Sequence, residues 1–531
     1  MLPQTILLMT ALWIAWRPAE TVAVTPVVVS LVVLVLVPWA HRRSDPDRLV
    51  PGLAVAGLVG LAAVFSAAGG WDRANAVAEI SLAAAVVAMA WMASRSQPDD
   101  NTIRLLALGL SGLTLWAAWQ VLVGFEVAQQ AVDSLPSALQ ANAEERLASG
   151  RAFASLLLPG HLAVLLATAL PLLLAGTRRG LRSVPWAAGS VLCLVGLILT
   201  RSPIGVGLAG LAIVALLAKR RTGLLVVACA VLAVALVAVA VWRPDMGQLD
   251  PVRLRIDNWR TAWWAYTTSP LVGVGLGSFG QVVQRVPFEV GNLPAHAHSL
   301  PMEWLTELGL IGIAAFVGAS TWLVRLLRRI WNVRPELAIG LAVVPLHNLV
   351  DFSLYTSGVA LPWAVLLGWG VAESGPAGDD RTPGRGRTIL VTAAACAVAF
   401  SLLHMTSRTL ESAALVSEPA ARQFDDAQRA CRMAPWRVDP VTLAAAAALE
   451  SGDQELIEEA ATLLSERRWL RPNSATLAEA SGRVHLVLGQ LPSAAADMML
   501  ASRAQPASTE RRALWERLRG RLETVHDPAR H

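Results

Sequence analysis

Charge is scarce in this 531-residue chain. Only 16% of residues are Asp, Glu, Lys or Arg, where a soluble domain carries about a quarter. Lysine is almost missing, Lys219 being the only one. The net charge of +5 therefore rests on arginine. The four cysteines, Cys193, Cys229, Cys396 and Cys431, are widely scattered. Their spacing fits neither a disulfide framework nor a metal site. These shortages exclude an ordinary soluble enzyme and a small disulfide-stapled secreted fold. A modest positive balance in such a chain belongs to the cytoplasmic loops of a membrane protein and does not point to nucleic-acid binding.

What is present is apolar sequence, with 55% of residues hydrophobic. The charges divide unevenly: 33 of the 83 fall in 406–531 and 50 in 1–405. This predicts a long membrane-embedded part, 1–405, followed by a soluble tail, 406–531. A bilayer core about 30 Å thick needs about 20 apolar residues in helix. Thirteen such stretches are expected, at about 2–16, 22–40, 50–68, 76–94, 103–125, 153–175, 184–200, 203–218, 223–242, 302–324, 335–353, 355–373 and 388–405. The expected fold is all-α: a polytopic bundle with a C-terminal helical repeat region. The twenty tryptophans suit membrane interfaces.

Arginine placement sets the expected sidedness. Arg42, Arg43 and Arg48 share one loop, Arg178, Arg179 and Arg182 a second, and Lys219, Arg220 and Arg221 a third. Arg325, Arg328, Arg329 and Arg334 follow, then Arg381, Arg385 and Arg387. Thirteen alternating spans with a cytoplasmic N-terminus put every one of these loops inside. The polar excursion 243–301 and the tail then lie outside the cytoplasm. In the tail, Pro435, Pro472 and Pro506 fall 37 and 34 residues apart, and Gly452 and Gly489 are 37 apart. This resembles degenerate tetratricopeptide helix pairs, which present concave surfaces to partners.

Polar groups beside lipid are costly, so their positions are informative. On this topology they gather at one rim. Arg151 and His161 open the sixth span, Arg201 sits between the seventh and eighth, and His347 and Asp351 end the eleventh, one turn apart. The excursion carries Arg253, Arg255, Asp257, Arg260, Arg285, Glu289, His296 and His298, and Glu303 and Glu307 begin the next helix. Guanidinium forks bind phosphate oxygens bidentately and stabilise the charge that builds on a diphosphate leaving group. A histidine can take the proton of an attacking hydroxyl. Such a rim fits transfer of a sugar from a lipid diphosphate to a hydroxyl. His296 and His298 are a conceivable metal pair, but no third ligand follows at metal-site spacing, so neither metal nor cofactor is expected. The Gly273-x-Gly275-x-Gly277 run follows no strand and is not a nucleotide fingerprint.

Several stretches together resemble the O-antigen ligase and O-antigen polymerase superfamily, bacterial enzymes that use undecaprenyl-diphosphate-linked glycans. They are Arg255-Ile-Asp-Asn-Trp259, Ser269-Pro-Leu-Val-Gly-Val-Gly-Leu-Gly-Ser-Phe279, His296-Ala-His298-Ser299 and Glu307-Leu-Gly-Leu-Ile-Gly312. Arg151 through Pro159-Gly160-His161-Leu162-Ala163, and Leu346-His347-Asn348 with Asp351, agree. The resemblance covers about 150–370. It departs at Thr200-Arg201-Ser202-Pro203, where the family's Thr-x-Ser-Arg has its arginine two positions later, and at Ser299, where asparagine is common.

The resemblance implies a metal-independent, inverting, GT-C-like glycan transferase in the bacterial inner membrane. His298 would be the base, and Arg255 and Arg201 would hold the diphosphate. Arg253, Arg260, His296, Arg151, His161, His347 and Asp351 are secondary candidates. Gly273, Gly275 and Gly277 would allow tight turns, and Glu307, Gly309 and Gly312 would be structural, the carboxylate resting at a helix N-terminus. The implied partners are an undecaprenyl-diphosphate-linked glycan as donor, a glycolipid, glycan or protein hydroxyl as acceptor, membrane lipids, and a protein docking on the tail. The alternatives are a polymerase of the same superfamily, a protein O-oligosaccharyltransferase, a glycolipid transporter and an envelope scaffold. A transporter would show charges or broken helices at the bilayer midplane.

Overall fold

The computed structural model describes residues 72–94, 98–130, 143–177, 183–218, 251–286, 294–374 and 410–526, apart from one or two positions at a time within them, with a few isolated residues elsewhere. The expected spans at 22–40, 50–68, 223–242 and 388–405 and most of 2–16 lie outside the described residues, as do most of the arginines that set the sidedness.

Every regular element among the described residues is helical. In the membrane part these are α1 (Arg73–Ser94), α2 (Asp100–Gln130, carrying a π turn at Gln120–Gly124), α3 (Pro159–Leu174), α4 (Val184–Thr200), α5 (Pro203–Ala218), α6 (Pro251–Thr268), α7 (Phe279–Val283), α8 (Leu300–Trp331), α9 (Pro335–His347) and α10 (Ser357–Glu373). By length and composition α2 and α8 can each cross a bilayer, and α3, α4, α5, α9 and α10 are shorter apolar helices. The chain is a helical membrane bundle.

At its centre stands α3, buried without a break from His161 to Leu173. A helix apolar on every side is one enclosed by other helices. Here α2, α4, α5 and α9 surround it, and α10 packs on α1. One continuous cluster built from α1 to α5, α9 and α10 forms the core, with Leu165, Leu166 and Trp369 fully enclosed.

Several boundaries differ from expectation, two of them for a polar reason. The sixth span begins at Pro159 rather than 153, because Arg151 and Ala152 turn back to bond the Thr200 and Leu199 carbonyls at the end of α4. The eleventh ends at His347 rather than 353. There the Asn348 side chain bonds Val344, Ser353 and Leu354, which closes α9 and reverses the chain. Asp351 therefore lies past the helix end, not on its last turn. The tenth runs to Trp331, so Arg325, Arg328 and Arg329 ride the final turns of α8 rather than a loop.

The tail continues as α11 (Ala420–Met433), α12 (Asp439–Ser451), α13 (Gln454–Arg467), α14 (Ala475–Val487), α15 (Leu491–Ala504) and α16 (Thr509–His526), each packed on its neighbour in sequence. Gly452 follows α12 with φ 67° and Gly489 follows α14 with φ 72°, the left-handed geometry that ends helices. Cys193 and Cys431 are buried and unpaired.

Candidate functional site

The turn after α9 places Asp351 where four other segments meet. It is 4% exposed, and one carboxylate oxygen accepts the Phe352 amide at 2.8 Å. His161 Nε2 of α3 stands 3.7 Å from Oδ1, and His298 Nδ1 stands 3.8 Å from the same atom. His347 Nε2, at the last residue of α9, is 3.8 Å from Oδ2. A terminal nitrogen of Arg255, on α6, is 3.4 Å from Oδ2, and its Nε donates to the Val350 carbonyl at 3.2 Å. The three imidazoles are in ion-pair range and just outside direct hydrogen-bond reach. Gly160 lies directly beside the pair: a Cβ there would stand in ordinary van der Waals contact with Asp351 Oδ2, at 3.4 Å, and His347 Nε2, at 3.6 Å.

Two of the histidines are fixed from behind. His161 Nδ1 bonds the Thr356 hydroxyl at 2.9 Å, and His347 Nδ1 bonds the Ser353 hydroxyl at 3.1 Å. Each keeps its Nε2 toward the carboxylate. His298 is turned the other way, with Nδ1 toward Asp351, so Nε2 is the nitrogen left for a substrate. Its side chain is 24% exposed. Its φ of 53° lies in the left-handed region, which costs a non-glycine residue about 1–3 kcal/mol and concentrates at functional positions. Burial pulls the His298 pKa down to about 4, against the opposing pull of the Asp351 carboxylate. At neutral pH the ring is uncharged and able to accept a proton.

Glu303, in the first turn of α8, holds this loop in shape. One of its oxygens lies 2.9 Å from His296 Nδ1, and the other accepts the Ala297 amide. The His296 ring packs against Phe352 and Tyr355, with centroids 4.6 and 4.7 Å away. Burial lowers the His296 pKa, but the Glu303 carboxylate outweighs it and the net shift is upward. His296 is thus committed to Glu303. Phe352 also meets the rings of His161 and His298 at 5.0 and 4.7 Å. Sequence reasoning treated Glu303 only as the start of a helix. The signal that could have found it is an acidic residue in a first helical turn directly after a His-x-His loop.

The glycine run crosses α8 where that helix breaks. Gly309 has φ 62° and ψ −145°, so the Leu310 amide leaves the helix ladder and donates to the Pro270 carbonyl at 2.9 Å. The carbonyls of Thr306 and Glu307 accept instead from Val274 and Gly275, at 2.9 and 3.1 Å. Non-helical backbone in a membrane protein survives where protein groups satisfy it, and here the loop does so. Gly273 has φ 71°, and a Cβ on it would fall 2.2 Å from the Glu307 carbonyl carbon. Glu307 does not cap the N-terminus of its own helix: it is eight residues into α8, and its carboxylate accepts the Phe279 amide at 3.1 Å, the first of α7. The carboxyl group does meet a helix N-terminus, but that of the neighbouring element. Gly312 sits against the Trp304 carbonyl, at 2.2 Å from an added Cβ.

The remaining arginines take different places. Arg201 ends α4 with φ 46° and donates to the Ser149 carbonyl at 3.2 Å, while Arg151 Nε bonds the Thr200 carbonyl at 3.1 Å. Both bonds tie the end of α4 to the loop that precedes α3. Arg253 and Arg260 are exposed on α6, and Arg255 of the same helix turns to the carboxylate. Among the described residues no group of three or more His, Cys, Asp or Glu side chains has metal-holding geometry.

Against families of known proteins, residues 164–317 match the model described as O-antigen ligase. This stretch contains most of α3, all of α4 to α7, His298 and the break in α8. No curated protein matched the chain.

Proposed function

We propose that the Asp351 cluster transfers a glycan from an undecaprenyl-diphosphate carrier to an acceptor hydroxyl on the extracytoplasmic face, a reading supported by the O-antigen ligase match over residues 164–317. The observation that carries this reading is the single carboxylate shared by Arg255 and His298.

His298 Nε2 removes the acceptor's proton as its oxygen attacks the anomeric carbon. The bond from that carbon to the diphosphate oxygen breaks, and the electron pair leaves with the lipid diphosphate. Attack from the face opposite the leaving group inverts the anomeric centre. The imidazolium that forms is stabilised by Asp351, which also orients the ring, as the third group does in base-activated nucleophiles. Arg255 uses Nε and one terminal nitrogen on Val350 and Asp351. Its remaining N–H groups are free to meet the diphosphate as charge develops. Arg201, displaced relative to the family pattern, is the second proposed diphosphate contact, offered from the end of α4. Among the described residues, His161, His298, His347 and Asp351 meet at helix ends and loops, which supports a transferase reading.

The test is direct. Purified protein is incubated with a lipid-diphosphate glycan and candidate acceptors, and the product that carries the sugar is identified. Release of lipid diphosphate with formation of an inverted glycoside supports the reading. A carrier lipid that stays intact with every acceptor removes it.

A further inference from the structure

The tail is joined to the loop that carries the site. In the turn between α13 and α14, Arg471 Nε lies 2.8 Å from Asp72 Oδ1 and its terminal nitrogen 3.2 Å from Asn75 Oδ1. Asn473, two residues on, accepts from Arg285 at 2.8 Å. Asp72 and Asn75 open α1 and Arg285 follows α7, so one tail turn grips two membrane-domain segments 399 and 188 residues away in sequence. Asp72 is 1% exposed.

The contacts continue inward. The Asp72 amide donates to the Ser278 hydroxyl at 3.0 Å, and the Asn75 side chain donates to the Gly277 carbonyl at 3.4 Å. Ser278 precedes Phe279, whose amide is held by Glu307. The fully buried Phe279 ring packs with Ala262, Val283 and Ala297. Ala297 is the residue before His298. An unbroken series of contacts therefore runs from Arg471 through Asp72 and Ser278 to the His298 loop.

We infer that Arg471 is a positioning residue for the transfer: it locks the glycine loop through Asp72, and the docked tail thereby sets the placement of His298. This rests on His298 being the base. The physical reason is the burial of Asp72. Removing one partner of a buried pair leaves an uncompensated charge, and the cheapest relief is movement of the segment that bears it, here the start of α1 with Ser278 attached. The tail is then part of the working enzyme, not a detachable recruiting arm.

The test uses the full chain in lipid nanodiscs, comparing wild type with Arg471→Gln, Arg471→Lys and the reciprocal swap Asp72→Arg with Arg471→Asp. Backbone hydrogen exchange is read over 273–283 and 296–299, with α3 as internal control, since loop opening is a local equilibrium. Arg471→Gln is expected to speed exchange in both segments and leave α3 unchanged. In the transfer assay it should lower kcat by about tenfold to a hundredfold, the effect of misplacing a catalytic group by about an ångström, while KM for the lipid donor stays within about twofold. Arg471→Lys should fall between, because a point charge replaces a fork, and the swap should recover part of the lost protection. Unchanged exchange in Arg471→Gln, equal loosening of α3, or a swap no better than the single variants overturns the inference. If the loop loosens as expected but wild-type protein transfers no glycan, the latch stands and the transferase reading fails, so the two are tested apart.

Discussion

His298 Nδ1 stands 3.8 Å from Asp351 Oδ1, across 53 residues of sequence that include the whole of α8 and α9. The His298 ring is therefore aimed by a carboxylate on the far side of two helices and strained into place by its own left-handed backbone.

Replacing His298 with alanine should lower glycan transfer by about 10²–10⁴-fold, the usual contribution of a general base. The protein should still insert, because a partly exposed loop side chain supports little packing. Wild-type rates in a correctly inserted variant would remove the base assignment.

Asp351→Asn keeps the shape and removes the charge. It should slow transfer by about 10²-fold through loss of ring orientation while leaving donor binding nearly intact. A variant in which KM rises and kcat is unchanged would instead assign Asp351 to holding Arg255.

Arg255→Lys should also be defective, by up to about 10²-fold in kcat, since a compact ammonium cannot span Val350, Asp351 and a phosphate oxygen at once. Equal activity of the lysine variant would mean that charge alone is used there.

The pH profile carries its own sign. The base must be neutral, and burial lowers the His298 pKa to about 4. Its proton-accepting form is thus present at neutral pH and lost as pH falls through about 4. The acidic limb of kcat/KM should lie well below the ordinary histidine range near 6.5. A limb at 6.5 or above would show that the working histidine is another one.

Gly273→Ala should destabilise the membrane domain by about 1–3 kcal/mol from backbone strain alone, with the clash against Glu307 added. Thermal unfolding in detergent reads this out. A stability equal to wild type would mean that the loop does not cross α8 as described.

The helical character, the membrane part and the residue types at the rim are legible in the chain by itself. Apolar run length, arginine placement and the expense of a charge beside lipid are local properties, each readable from a window of about 20 residues. Arg255, His298, His161, His347 and Asp351 could all be named that way. Their ranking could not. Asp351 looked like one of several secondary groups until α3, α6, α8 and α9 were packed together, because its partners lie up to 190 residues away (His161) and leave no periodic trace. Glu303's hold on the His296 loop, Glu307's bond to Phe279 and Arg471's grip on Asp72 were likewise decided only by the tertiary structure. Periodicity tells which face of a helix is buried, but which charge finally faces which is set by the packing of helices distant in sequence.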